Sequence, residues 1–157
     1  MNDRPRGATG STGKGKSGAG RRPAASRPAP SAGVAPRLAA FQILKAVQQG
    51  EAFDLALSAA VTSLPEADRR LAHELAAGVF RQRNELDARL QQLVHRGWST
   101  VANDLRDILR IGAYQLVILD RVPAHAAVDT TVELARIVIG ESAALAAVKV
   151  LPSSFTP

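Results

Sequence analysis

Cysteine is absent from this 157-residue chain, methionine occurs once, and only six residues are aromatic (four Phe, one Trp, one Tyr). The first absence excludes disulfides, thiolate metal sites and every mechanism that needs a cysteine nucleophile. With so few rings, a core has to be made of Leu, Val, Ile and Ala packed closely. No run of about 18 apolar residues occurs, so nothing in the sequence spans a bilayer as a helix, and no apolar stretch follows the first basic residues. The first 36 residues are poor in acids and rich in Arg, Ser and Ala, as in a transit peptide. Their prolines and glycines, however, oppose the amphipathic helix that such peptides form, and a cytoplasmic location is expected.

Acidic residues are scarce at one end only. Residues 1–36 hold seven Lys/Arg and one Asp, whereas residues 37–157 hold thirteen of each sign, so the net charge of +6 belongs to the first segment alone. That segment has seven Gly, five Pro, seven Ala and four Ser, with no aromatic residue. It cannot bury enough surface to offset the entropy of ordering, and it is expected to be a disordered basic tail. Within it, Gly10-Ser-Thr-Gly-Lys-Gly-Lys-Ser17 matches the phosphate-loop pattern at every fixed position. Such a loop works only when pinned between a buried strand and a helix, and neither flank here can supply one, so the match is set aside.

From Arg37 the apolar period becomes 3.6. Leu38, Phe41, Ile43, Leu44 and Val47 mark a first helix, with Arg37, Lys45, Gln48 and Gln49 opposite and Gly50 closing it. Asp54 is a plausible N-cap for a second helix that ends before Pro65. Pro65-Glu66 opens a third through Leu71, Leu75 and Val79, and a break near Arg83-Asn84 leads to a fourth over Glu85–His95. Asp104–Leu119 is the most apolar segment and the expected central helix. Pro123 restarts a helix that Gly140 stops, and Ala143–Leu151 allows one more. Period-two alternation and hairpin turn signals are lacking, so an all-α orthogonal bundle of six or seven helices is predicted over residues 37–151, with a short irregular end at 152–157.

His73, His95 and His125 lie too far apart in sequence to form a preformed metal face, and no metal site is expected. The pairs Glu85/Asp87 and Asp104/Asp107 could suggest acid–base carboxylates, but Glu85 faces Arg89 at i+4 and Asp104 falls at a helix start, so surface pairing and capping account for them. Trp98, beside Gly97, reads as packing. Arg69, Arg70, Arg81 and Arg83 bracket the third helix and could form a basic ridge for phosphate. With Arg21, Arg22 and Arg27 of the tail and Arg37 at the head of the first helix, they make up the candidate RNA-contacting set. No residue is a candidate for catalysis or cofactor binding.

The segment Asp107-Ile-Leu-Arg-Ile-Gly-Ala-Tyr-Gln-Leu-Val-Ile-Leu-Asp-Arg-Val-Pro-Ala-His-Ala-Ala-Val-Asp-Thr-Thr-Val-Glu-Leu-Ala-Arg136 resembles the NusB-like family. Within it, the likeness is nearest to the N-terminal domain of the small-subunit ribosomal RNA cytosine-5 methyltransferases of the RsmB type. Arg37-Leu-Ala-Ala-Phe-Gln-Ile-Leu-Lys-Ala-Val and Arg70-Leu-Ala-His-Glu-Leu-Ala-Ala-Gly-Val-Phe-Arg-Gln-Arg fit the same pattern, and the resemblance covers about residues 37–140. It implies a helical bundle that helps to bind RNA, with ribosomal RNA as the partner and no DNA. Gly112 and Ala113 are then expected to let helices approach, Tyr114 to offer a hydroxyl for a buried hydrogen bond, and Pro123 to fix the entry of the next helix.

The methyltransferases so resembled continue into a domain that uses S-adenosylmethionine and a cysteine thiolate. This chain, which has no cysteine and no such domain, is not expected to be an enzyme on its own. Its last residues depart from the family pattern and read as a truncated or frameshifted end. The rival reading is a standalone transcription antitermination factor that joins a ribosomal-protein partner on RNA. Arg121-Val-Pro-Ala-His-Ala-Ala-Val128 resembles the methyltransferase version and favours the first. A nonfunctional remnant with a marginal bundle is the third reading.

Overall fold

A computed structural model describes residues 30–151 of the chain. They form seven α-helices: α1 (Ala35–Gln48), α2 (Phe53–Val61), α3 (Glu66–Arg81), α4 (Arg83–Gln91), α5 (Asn103–Val117), α6 (Ala124–Val138) and α7 (Glu141–Val150). A single 3₁₀ turn, Trp98–Thr100, precedes α5, and no strand occurs among the described residues. The predicted all-α bundle is what the chain forms. The phosphate-loop motif lies outside the described residues.

Local signals set most of the helix ends. Pro36 sits in the first turn of α1, where its missing N–H costs nothing. Gly50 and Gly140 take φ values of +98° and +141° after α1 and α6, conformations that a side chain would strain. Asp54 is not the N-cap of α2: that position is Ala52, and the carboxylate stands in the first turn, where it complements the positive end of the helix. The fourth helix is shorter than predicted, because Leu93 and Val94 already lie in a turn that leads to Trp98. Only Gln82, at φ −108° and ψ 14°, separates α3 from α4.

The boundary predicted at 36/37 falls inside the folded unit. Val34 is fully buried, and Ser31 donates from its N–H (2.9 Å) and its hydroxyl (2.5 Å) to the two oxygens of Glu133 on α6. The chain therefore joins the core before α1 begins.

Helix α5 occupies the centre. Nine consecutive residues, Asp107–Gln115, are buried, and α5 packs against every other helix except α2. A helix covered on all sides has no face to give to water, so its neighbours must come close wherever its own side chains are small. At Gly112 an added β-carbon would lie 2.6 Å from Leu151 Cδ1 and 2.7 Å from Thr131 Oγ1, so this glycine lets α6 and the end of α7 settle on α5. Gly78 of α3 does the same from the other side, where a β-carbon would fall 2.1 Å from Cζ of Tyr114. Tyr114 thus contributes its ring, laid over Gly78, rather than the hydrogen bond expected from sequence.

Adding one methyl group at either position overfills the core. Gly78→Ala is expected to lower stability by roughly 1–3 kcal/mol in urea unfolding, as overpacking typically does. In a double-mutant cycle, Tyr114→Leu should recover part of that loss. Additive effects of the two substitutions would refute the contact as the cause.

Candidate nucleic-acid interface

Thirteen basic side chains lie within residues 37–151, and the fold employs most of them. Arg37, predicted as a phosphate ligand, is buried at the head of α1. Its Nε donates to Gln115 Oε1 (2.9 Å) and its Nη1 to the carbonyl of Gly33 (2.7 Å). Burial pushes the pKa of its guanidinium down, and the charge of Asp68 offsets part of that effect. Arg37 is a structural residue and leaves the candidate set. Arg69 is exposed, but its guanidinium reaches back to the carbonyls of Leu64 (2.7 Å) and Thr62 (3.4 Å), where it satisfies the open end of α2.

The most deeply placed cation was not singled out from sequence. Arg110 of α5 donates through Nε and Nη2 to both oxygens of Asp87 on α4 (2.6 and 2.8 Å), and through Nη1 to Asp107 (2.7 Å). The other oxygen of Asp107 accepts from Gln48 of α1 (2.7 Å), and the guanidinium carbon lies 5.6 Å from the centre of the Trp98 ring. Burial acts to lower the pKa of Arg110, but its hydrogen bonds to Asp87 and Asp107, together with their charges, outweigh it and raise the value. Asp107 is thus part of a buried ion network, whereas Asp104 pairs with Lys45 (3.1 Å) at the surface. Neither caps α5, whose N-cap position is Ala102.

Exposed pairs account for Arg70 with Glu66, Arg89 with Glu85, Arg121 with Glu74 and Arg136 with Glu141. The last of these spans the α6–α7 turn and holds the carboxyl of Glu141 below its ordinary pKa. Four cations have no acidic or hydrogen-bonding partner among the described residues: Arg81, Arg83, Arg96 and Lys149. The first two belong to the predicted ridge. Arg70 and Arg81, eleven residues apart, fall within about 20° of each other around α3 and roughly 16 Å apart along it. Arg69 points about 100° away from Arg70. Helix geometry therefore sets Arg70 and Arg81 on one side of α3, and Arg83 follows at the first position of α4. Arg21, Arg22 and Arg27 lie outside the described residues.

Arg96 and Lys149 line a separate groove of about 550 Å³ between the α4–α5 connection and α7, with Leu93, Val101, Leu105 and Val150 among its apolar walls. Sequence reading missed this pair because the two residues are distant in the chain. No cluster of His, Asp and Glu suited to a metal occurs among the described residues. Nor do these residues fit S-adenosylmethionine: they supply no sheet edge and no glycine-rich turn between strand and helix.

An all-helical unit with unpaired arginines at one helix junction is a class of domain suited to holding a polyanion. Its sequence matches the NusB family over residues 34–145, and the chain belongs to that family. It is 40% identical over 106 residues to a protein of Synechocystis sp. named probable ribosomal RNA small subunit methyltransferase B, a match that covers 66% of this chain and 24% of that protein. The corresponding protein of Pseudomonas putida is 39% identical over 98 residues, covering 62% and 22%, and a putative methyltransferase of Mycobacterium tuberculosis is 42% identical over 104 residues, covering 64% and 22%. The chain matches about a quarter of the length of these relatives.

Two solved structures share the fold. One, described as antitermination factors NusB and NusE in complex with dsRNA, aligns at a TM-score of 0.67 and 18% identity over 77% of this chain and 93% of its own. The other, described as a plectonemic RNA supercoil, aligns at 0.66 and 19% identity over 76% and 89%.

The two kinds of ion pair should respond differently to substitution. Arg110→Met leaves Asp107 buried without its cation and is expected to cost about 3–5 kcal/mol in urea unfolding. Lys45→Ala, which breaks an exposed pair, should cost about 0–1 kcal/mol. Similar costs for both would show that the buried network holds no special place in the fold.

Proposed function

We propose that the chain is an RNA-binding domain of the NusB family that corresponds to the N-terminal part of a small-subunit ribosomal RNA cytosine-5 methyltransferase. The observation that carries this reading is the identity of about 40%, over about 100 residues, to proteins named ribosomal RNA small subunit methyltransferase B. The standalone antitermination reading, with a ribosomal protein as second partner, is supported by fold alone, at 18% identity. On the first reading the domain works in the cytoplasm and performs no chemistry. It holds ribosomal RNA, while S-adenosylmethionine and the nucleophile belong to a methyltransferase domain.

Two groups of cations would act in different ways. Arg81 and Arg83, with Arg70 released from its exposed pair with Glu66, would contact phosphates from a rigid helix junction. The seven basic residues of the first 29, Arg21, Arg22 and Arg27 among them, would add attraction that is independent of sequence. The proposed domain then starts near residue 30, because Ser31 and Val34 belong to the folded unit.

Binding to a small-subunit ribosomal RNA fragment, measured against salt concentration, tests this division. Removing residues 1–29 is expected to weaken binding and to flatten the dependence of log K on log salt by up to about 5, at roughly 0.7 per phosphate contact on single strands. Equal slopes with and without those residues would exclude them from the interface. Absence of binding by the full chain would overturn the RNA-binding reading itself.

A further inference from the structure

Among the described residues there are five Phe, Trp and Tyr side chains. Phe41, Trp98 and Tyr114 are buried, whereas Phe53 and Phe80 remain partly exposed and touch each other. Phe53, the first residue of α2, meets Phe80 of α3 edge-on with ring centroids 6.1 Å apart. It also meets the exposed ring of His73 edge-on, at 5.8 Å. With Val47 and Ala77, the two phenylalanines line an open, wholly apolar depression of about 320 Å³. His73, Ala77 and Phe80 lie at i, i+4 and i+7 along one stripe of α3, with Phe80 about 80–100° around the helix from Arg70 and Arg81.

The surroundings of this cluster are charged on one side. Arg81 follows Phe80 directly and Arg83 comes two positions later; neither has a partner among the described residues, and both keep their Cα atoms within about 11 Å of Phe80. Glu51 and Asp54 flank Phe53 at the head of α2, so the cationic side is the α3–α4 junction. Aromatic surface next to unpaired guanidinium groups matches the two parts of a nucleotide, a flat apolar base and an anionic phosphate. A duplex keeps its bases stacked inside and offers only the phosphate.

The geometry points to a stacking site for an unpaired RNA nucleobase on the Phe53–His73–Phe80 cluster, with Arg81 and Arg83 on the adjoining phosphates. This inference rests on the RNA-binding reading and specifies its ligand: single-stranded rather than paired RNA. Stacking is tolerant of base identity, so the site would select strandedness more than sequence.

The full chain is tested with an oligouridylate single strand and an RNA duplex of equal length, across a salt series. The variants are Phe53→Leu with Phe80→Leu, which keep apolar bulk but remove the ring faces, the exposed His73→Ala, and Arg81→Gln with Arg83→Gln. Loss of the rings is expected to reduce single-strand affinity about 5- to 150-fold, leaving the salt slope and the duplex affinity unchanged. Loss of the arginines should flatten the single-strand slope by about 0.7 for each contact. If the full chain binds neither RNA, the proposed function fails and takes this site with it. If it binds RNA but the ring variants and His73→Ala keep full single-strand affinity, or lose duplex and single strand alike, the stacking site is wrong while the RNA-binding reading stands.

Discussion

Arg110 sits at the middle of a helix with no wet side, and the placement of three other elements follows from that. A guanidinium in such a position is tolerable only when its donors are matched. Here both oxygens of Asp87 and one of Asp107 receive them, while the Trp98 ring covers the cation. Because Gln48 takes the remaining oxygen of Asp107, the network ties α1, α4, α5 and the Trp98 turn to one another. Its effect is mainly on arrangement. Rotating α5 by a single residue, about 100°, would carry the Arg110–Asp107 pair away from Asp87 and Gln48, whereas the aliphatic core around them would tolerate many near-equivalent packings.

A second constraint is steric and acts on the remaining helices. Gly78 receives the ring of Tyr114, and Gly112 receives Leu151 and Thr131, so α3 on one side and α6 with α7 on the other are pinned at fixed heights along α5. Polar registration and close approach alternate along the same helix, at positions 107 and 110, then 112 and 114. Arg37 and Gln115 complete the series at the far end of α5. With few large rings to fill space, the bundle gains its rigidity from these close contacts rather than from bulky anchors.

The helices were legible because their apolar residues recur every three or four positions and because Pro36, Gly50, Pro65, Pro123 and Gly140 mark the ends. The role of Arg37 was not. Read as one more cation on the polar side of α1, it in fact heads the stripe Arg37, Phe41, Leu44, Gln48, spaced i, i+4, i+7 and i+11. Both polar members of that stripe turn toward α5, Arg37 to Gln115 and Gln48 to Asp107. The spacing held the signal, but residue type overrode it. The link from Asp87 to Arg110 was beyond reach from sequence, since nothing local says which distant helix will supply a partner. The same holds for Arg96 and Lys149, which line one groove although 53 positions apart. For the ridge, the sequence gathered four arginines by proximity in the chain, and helix geometry divides them, turning Arg69 back onto α2 while Arg70 and Arg81 share a side.

Charge accounting limits how the folded part can recognise RNA. Its acids and bases are equal in number, and most of its cations are held by carboxylates or carbonyls, so it projects little long-range attraction. A neutral body binds a polyanion only where a few free cations stand beside surface that gains from being covered. The α3–α4 junction meets that condition: Arg81 and Arg83 are uncommitted, and the rings of Phe53 and Phe80 are the aromatic surface that the core leaves partly in water. The groove beside Arg96 and Lys149 pairs free cations with mainly aliphatic walls, and His95 is the one ring along it. Of the two places where the described residues leave cations unpaired, the first sets the larger aromatic surface beside them.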